Sequence, residues 1–194
     1  MPTVDLSFPL SGKHVPVDHG YMLFSAINRI IPEIHGNPQI GIHPIRGLYN
    51  GNGHLILSRI SHLTVRLDAD DIKLMLPLAG KSLSLNGENI QAGIPRILVL
   101  QPVASLQAKM VTIKGFIDPE IFQEALHRQL QELDIHPEKV ETGQRRTLKI
   151  QDKKVVGFQV RLTGLTADES LLIQEKGLGG RRRFGCGVFV RYRG

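Results

Sequence analysis

Five glycines and three consecutive arginines fill the stretch Gly177-Leu-Gly-Gly-Arg-Arg-Arg-Phe-Gly-Cys-Gly187, and a strand-like run, Val188-Phe189-Val190, follows at once. Glycine permits positive φ and lets another molecule approach the backbone closely. Successive unbonded N–H groups in such a loop form anion-binding nests, and arginine offers a planar fork that matches a phosphate bidentately. Gly177, Gly179, Gly180, Arg181, Arg182, Arg183, Gly185 and Gly187 therefore compose a candidate polyanion seat. The competing reading is a solvated basic loop. The order G-x-x-x-x-G-K-[ST] is missing, which excludes a nucleotide P-loop.

Histidine supplies the second kind of chemistry. His19, His35, His43 and His54 fall in the first part of the chain. They keep no H-E-x-x-H or H-x-H spacing with an acidic ligand, so neither a metal site nor a cofactor is expected. Histidine titrates near neutrality and can take one proton and return another. A strand of RNA brings its own nucleophile, the 2′-hydroxyl. One histidine and a cation for the charged phosphorus centre would suffice to cleave it. His35 stands where the first predicted helix gives way to His35-Gly36-Asn37-Pro38, a place from which a side chain can project. The alternative is a surface histidine that merely ends a helix. His19, next to Asp18, reads as a capping or packing group. His43 lies in an alternating strand and could face either way, and His127 and His136 read as solvated. Cys186 sits in a basic loop that would lower a thiol pKa, but no histidine neighbours it in sequence, and it reads as packing.

Charge narrows the partner. The chain has 194 residues, 41% of them apolar, with a formal charge of +6. From Lys139 onward there are 13 Lys and Arg against 5 Asp and Glu, and the preceding residues carry 11 against 13. Concentrated positive charge favours nucleic acid or an anionic membrane. No apolar run is long enough to span a bilayer, and no charged-then-apolar leader opens the chain. One cysteine excludes an intrachain disulfide and a cysteine-cluster zinc site. A cytoplasmic protein facing RNA or DNA, with no membrane partner, is expected. Aromatics are only 5% and no RNP pattern is present, so phosphate and shape contacts are expected over base stacking on a sheet.

The elements that must position these groups repeat one order. Residues 3–10 alternate as a strand. Asp18 is a predicted N-cap for a helix over 19–34, disturbed near its end by Pro32. Strands are predicted over 39–45 and 54–67 with the turn Asn50-Gly-Asn-Gly53 between them. Asp68 then caps a predicted helix to residue 76, and residues 82–85 read as a strand. A linking hairpin region covers 87–103. The same order then returns: a strand over 105–114, a helix opened by Asp118-Pro119-Glu120, a hairpin of 147–150 and 155–162, a helix capped by Thr166, and the strand after the glycine–arginine loop. The expectation is an α+β protein of two ferredoxin-like βαββαβ modules in tandem, residues 1–86 and 104–194.

At this point the layout resembles a family. Two ferredoxin-like modules, a histidine ending the first helix and a C-terminal G-x-G-G-R-R-x-x-G-x-G loop resemble the RAMP superfamily, and within it the CRISPR repeat-RNA endoribonucleases. Asp18-His19-Gly20-Tyr21, Leu106-Gln107-Ala108-Lys109, Val111-Thr-Ile-Lys-Gly115 and Val155-Val-Gly-Phe158 are similar to the short Myxococcus-type subfamily of these enzymes. The resemblance implies metal-independent cleavage of a CRISPR repeat RNA hairpin, by 2′-hydroxyl attack that leaves a 2′,3′-cyclic phosphate and a 5′-hydroxyl. It implies His35 as general acid or base and Tyr21 as its partner. It implies RNA contacts from Gln107 and Lys109, while stem recognition is expected from Arg145, Arg146 and the Arg181–Arg183 run, since the predicted helix from Asp118 carries only Arg128. Retention of the product among other subunits of a CRISPR effector complex is also implied. The alternative is a non-catalytic RAMP-type subunit that only binds guide RNA.

Overall fold

Val4, Leu6, Phe8 and Leu10 alternate with Thr3, Asp5, Ser7 and Pro9, and that period of two builds β1 (Thr3–Gly12) with its apolar residues buried. The structure, a computed structural model, describes residues 2–193 and divides into two compact units between Val99 and Leu100.

In the first unit β1 is followed by β2 (His14–Pro16), α1 (Gly20–Ile30), a 3₁₀ turn at Pro32–Gly36, β3 (Gly41–Ile42), β4 (Leu48–Tyr49), β5 (His54–Ile56) and β6 (His62–Asp68). Then come α2 (Ile72–Met75), flanked by short 3₁₀ turns, β7 (Ser82–Leu85), β8 (Glu88–Ala92) and β9 (Arg96–Val99). The main sheet runs β3-β6-β1-β8-β7, with β9 beside the first half of β1, and β2-β5-β4 form a smaller sheet. The order β3-β6-β1-β8 around two helices is the ferredoxin-like arrangement. Residues 88–99, read from sequence as a link, thus belong to the first unit's sheet. Asn86 and Gly87, with φ of 54° and 91°, close the β7–β8 hairpin.

Several elements differ from the sequence reading. Helix α1 stops at Ile30 rather than residue 34, because Pro32 has no N–H to continue it and begins a 3₁₀ turn instead. Its N-cap is His19, not Asp18, and no side chain caps it. The predicted strand over 54–67 is broken by a turn in which Ser61 Oγ accepts from Ser58 N–H at 3.0 Å and donates to Arg46 O at 2.7 Å. The helix expected after Asp68 shrinks to α2. Asp68 accepts from Thr3 Oγ at 3.4 Å instead of capping.

The second unit runs β10 (Ser105–Val111), α3 (Pro119–Glu132), β11 (Lys139–Ile150), β12 (Lys153–Thr163), α4 (Ala167–Lys176), a 3₁₀ turn at Arg182–Phe184 and β13 (Val190–Arg191). Its sheet order, β11-β12-β10-β13, is again ferredoxin-like. Asp118 caps α3 by accepting from Glu120 N–H and Ile121 N–H, with Pro119 in the first turn. Thr166 and Glu169 form a capping box at α4. The core gathers Phe122 and Phe158, ring centroids 4.7 Å apart, with Leu126, Val160, Leu162, Ile173 and Phe189. The hairpin is longer than predicted, since β11 starts at Lys139.

Candidate functional site

His35 is exposed on the 3₁₀ turn that follows α1, and this turn folds back along the helix: its ring centroid lies 6.0 Å from that of Phe24, tilted by 44°. Ile34, beside it, is fully buried and anchors the turn. Phe24 is buried one helical turn after Tyr21, so side chains at these two positions are neighbours on one helix surface. The ring beside Phe24 is that of His35; Tyr21 precedes Phe24 by one helical turn on α1. Tyr21 is half-buried and lines a cavity of about 540 Å³ between α1 and β7, together with Ser25, Arg29, Ser84 and Asn86.

The other histidines near α1 are tied into the fold. His19 is buried; its Nδ1 donates to Pro16 O at 2.8 Å, and its Nε2 accepts from Ile45 N–H at 2.9 Å. Both ring nitrogens of His19 are thus engaged with main-chain groups inside the fold. His43 packs against Asp5 at 3.2 Å, and Arg66 donates to the same carboxylate from Nε at 2.8 Å and Nη2 at 2.9 Å. Burial pushes the His43 pKa below its ordinary value, and the Asp5 carboxylate only partly offsets this. Burial alone would raise Asp5, but the hydrogen bonds from His43 and Arg66 outweigh it and hold Asp5 below the carboxylate range. Near neutral pH, the ion pair is Asp5–Arg66, with His43 a neutral donor.

The glycine–arginine loop is positioned by its own glycines. Gly177, Gly179, Gly185, Gly187 and Arg181 all have positive φ. The expected nest of unbonded N–H groups is not what they make. Gly177 N–H donates to Ile173 O, Gly179 N–H to Gln129 Oε1, Gly180 N–H to Thr112 O and Gly187 N–H to Met110 O, all at 2.7–2.9 Å. Gly185 N–H and Cys186 N–H close onto Arg182 O and Arg181 O. These glycines let the loop lie against the end of β10, where a side chain would collide: a Cβ on Gly179 would stand 2.4 Å from Thr112 O. Arg181 projects into solvent, Arg183 is half-buried with its guanidinium 5.5 Å from the Phe184 ring, and Arg182 is 8% exposed. Cys186 is buried beside Met110 and Leu148.

Gln107 and Lys109 fall between the buried Leu106, Ala108 and Met110 along β10, where Leu106 and Ala108 join Val111 in the unit's core and Met110, at the bulge, packs with Leu148 and Cys186. Gln107 pairs across the sheet with Arg161 and Val190. Arg161 stacks 3.8 Å above the Tyr192 ring and donates to Glu141 at 3.3 Å. Arg161 and Tyr192 form a flat cationic and aromatic surface beside Gln107 that sequence reading missed. Period-two alternation around Val160 and Leu162 could have found the arginine, but only strand pairing brings Tyr192 under it. Arg145 and Arg146 lie on β11, next to the bulge after Thr142. Arg145 is exposed, and Arg146 donates to Gln144 at 3.1 Å. Among the described residues no helix is long and apolar enough to cross a membrane.

Two α+β units with the ferredoxin-like strand order, the second carrying a docked glycine–arginine loop, define a RAMP-type protein. A solved structure of a CRISPR associated protein Cas6 is similar at a TM-score of 0.71, covering 98% of this chain and 100% of its own at 12% identity. The structure of an RAMP protein binding different RNA substrates is similar at 0.68, covering 96% and 98% at 13% identity. The Cas6 Crispr family model matches residues 4–194. The CRISPR-associated endonuclease Cas6 of Myxococcus xanthus (strain DK1622) is 40% identical over 187 residues, 96% of this chain and 80% of that protein. This chain belongs to the Cas6 family of CRISPR-associated endonucleases.

Proposed function

We propose that this chain cleaves precursor CRISPR RNA within the repeat, without a metal ion, and retains the guide RNA it produces within an effector complex in the cytoplasm. The observation that carries this reading is His35, an exposed imidazole set on a short turn and backed by the Phe24 ring. The RNA 2′-hydroxyl attacks the adjacent phosphorus. The P–O2′ bond forms, the P–O5′ bond breaks, and the products are a 2′,3′-cyclic phosphate and a 5′-hydroxyl. His35 moves a proton at O2′ or O5′, and Tyr21, one helical turn from Phe24, is the partner for the other oxygen. An arginine fork stabilises the charge that builds on the phosphorane.

Recognition falls to side chains rather than to loop amides, because the amides of Gly179, Gly180 and Gly187 already donate to protein acceptors. Arg181 and Arg183 meet the phosphates, Arg145 and Arg146 the hairpin stem, and Gln107 and Lys109 the strand that lies on the sheet. Incubation with a hairpin repeat RNA in excess EDTA, read on a gel, tests the reading. Cleavage is expected at the full rate, and a 2′-deoxy sugar before the cut is expected to bind uncleaved. Activity lost in chelator and restored by a divalent ion overturns the mechanism.

A further inference from the structure

Three ligand atoms that sequence spacing keeps far apart meet at one point of the first unit. His14 on β2, His54 on β5 and Glu88 on β8 each offer one donor atom, and these atoms all lie within 4.8 Å of one another. The register explains the meeting. Pairing of Pro16 with His54 and of His14 with Ile56 sets the two imidazoles diagonally on the small sheet, ring centroids 5.0 Å apart. Glu88, at the start of β8, turns its carboxylate onto both: Oε2 is 2.9 Å from His14 Nδ1, and Oε1 is 3.9 Å from His54 Nε2.

The two imidazoles are prepared differently. His54 Nδ1–H donates to Asn52 O at 3.0 Å, which fixes the tautomer and leaves the Nε2 lone pair toward Glu88. Metal-bound histidines are oriented by this kind of outer bond to a backbone carbonyl. Asn50 Oδ1 holds the turn by accepting from Asn52 N–H at 2.8 Å and His54 N–H at 3.2 Å. His14 Nδ1 is buried and makes no hydrogen bond, although Glu88 Oε2 stands 2.9 Å away. In a tetrahedral site with bonds of 2.0–2.2 Å, ligand atoms stand roughly 3.3 Å apart. The present separations of 2.9 and 3.9 Å lie on either side of that spacing.

We propose that His14 Nδ1, His54 Nε2 and the Glu88 carboxylate hold one divalent transition-metal ion of the zinc class. Two imidazoles with one carboxylate suit Zn²⁺ and its neighbours and do not suit Mg²⁺ or Ca²⁺, which take oxygen ligands. The three side chains are 36%, 34% and 30% exposed, so an ion can enter from solvent. Three protein ligands leave a fourth position for water or an anionic oxygen. The ion joins the small sheet to the main sheet within the first unit, and it takes no part in the cleavage step assigned to His35.

Cobalt is the probe. The full-length, untagged chain is stripped with chelator, moved to chelator-free buffer and titrated with Co²⁺, with the ligand-field absorption in the visible as readout. One Co²⁺ per chain is expected, displaced by Zn²⁺, with a rise in melting temperature on Zn²⁺ addition. His54→Ala and Glu88→Gln are each expected to weaken binding by more than the roughly 10–100-fold that loss of an outer partner costs. His62→Ala, a histidine outside the cluster, is expected to bind as the parent does. Glu88→Gln keeps the shape of the side chain and decides the matter if His54→Ala does not fold. No stoichiometric binding by the parent chain, or binding that survives Glu88→Gln, overturns the proposal. RNA cleavage is read separately in EDTA, so failure of this site leaves the nuclease reading standing, and the reverse.

Discussion

The imidazole of His35 lies 6.0 Å from the ring of Phe24, two aromatic planes tilted by 44° at a helix that Pro32 has just ended. A short turn with a buried Ile34 fixes the backbone that carries the imidazole, and the Phe24 ring lies beside it. His35→Ala is therefore expected to lower single-turnover cleavage of repeat RNA by roughly 10²–10⁴ and to leave RNA affinity nearly intact. Cleavage at the parent rate would show that His35 is not catalytic.

The three loop arginines are expected to separate in solution. Arg181 and Arg183 reach solvent, whereas Arg182 is 8% exposed and packs over Gly177. Each phosphate contact contributes about 0.9 to the slope of log affinity against log salt on duplex, and about 0.7 on single strands. Arg181→Ala with Arg183→Ala should flatten that slope by roughly one to two. Arg182→Ala should act first on stability, seen as a lower denaturation midpoint. Filter binding at several salt concentrations, beside urea melts, checks both; an unchanged slope in the double variant would mean a loop that touches no phosphate.

Gly179 and Gly180 make a matched pair. Gly179 has φ of +71° and would place a Cβ 2.4 Å from Thr112 O, while a Cβ on Gly180 meets nothing within 4 Å. Gly179→Val is expected to cost about 1–3 kcal/mol from the strained dihedral alone, and more from the collision. Gly180→Ala should be nearly neutral. Equal denaturation midpoints for the two variants would contradict the docked loop.

Acid should weaken the first unit through His43. Its folded pKa lies below the ordinary 6.5 because burial disfavours the imidazolium. Between the two values the unfolded chain binds the extra proton, so stability is full above pH 6.5 and falls as the pH drops toward the folded value. The slope has an upper limit of about 1.4 kcal/mol per pH unit. Asp5, held below its ordinary value by His43 and Arg66, adds a loss of the same sign at lower pH, beneath 3.8. The stability difference between the parent and His43→Asn, followed by urea melts from pH 7 to 5, should shrink as the pH falls. A constant difference would mean that His43 titrates normally in the fold.

Neutralising Asp5 takes from the buried Arg66 the carboxylate charge that it donates to twice. Arg66 is 1% exposed and its guanidinium donates twice to Asp5. Asp5→Asn is expected to cost about 3–5 kcal/mol, measured as a loss of unfolding free energy, and a cost below about 1 kcal/mol would place the pair in the class of solvated surface bridges.

The repeated βαββαβ order was legible in the chain because local rules decide it. Period-two alternation gives β1 and β10, Pro119 after Asp118 starts α3, and the Thr166–Glu169 pair starts α4. The concentration of glycine after Lys176 was legible too, and Gly177, Gly179, Gly185 and Gly187 all take positive φ. What the loop glycines do was not legible. Whether an N–H faces an anion or a carbonyl depends on what lies beneath it, and only folding brings Thr112 O and Met110 O under Gly180 and Gly187. Helix α1 ends early, and the strand expected over 54–67 breaks, because Pro32 and the Ser58–Ser61 turn override apolar periodicity. Histidine identity decided which groups could do acid–base or metal chemistry. Tertiary structure alone decided their assignments: it set His19 against two main-chain groups and His43 against Asp5, placed His35 beside Phe24 on an exposed turn, and gathered His14, His54 and Glu88 across three strands. Sequence spacing is blind to such a cluster because strand pairing brings residues together by register, whatever their distance along the chain.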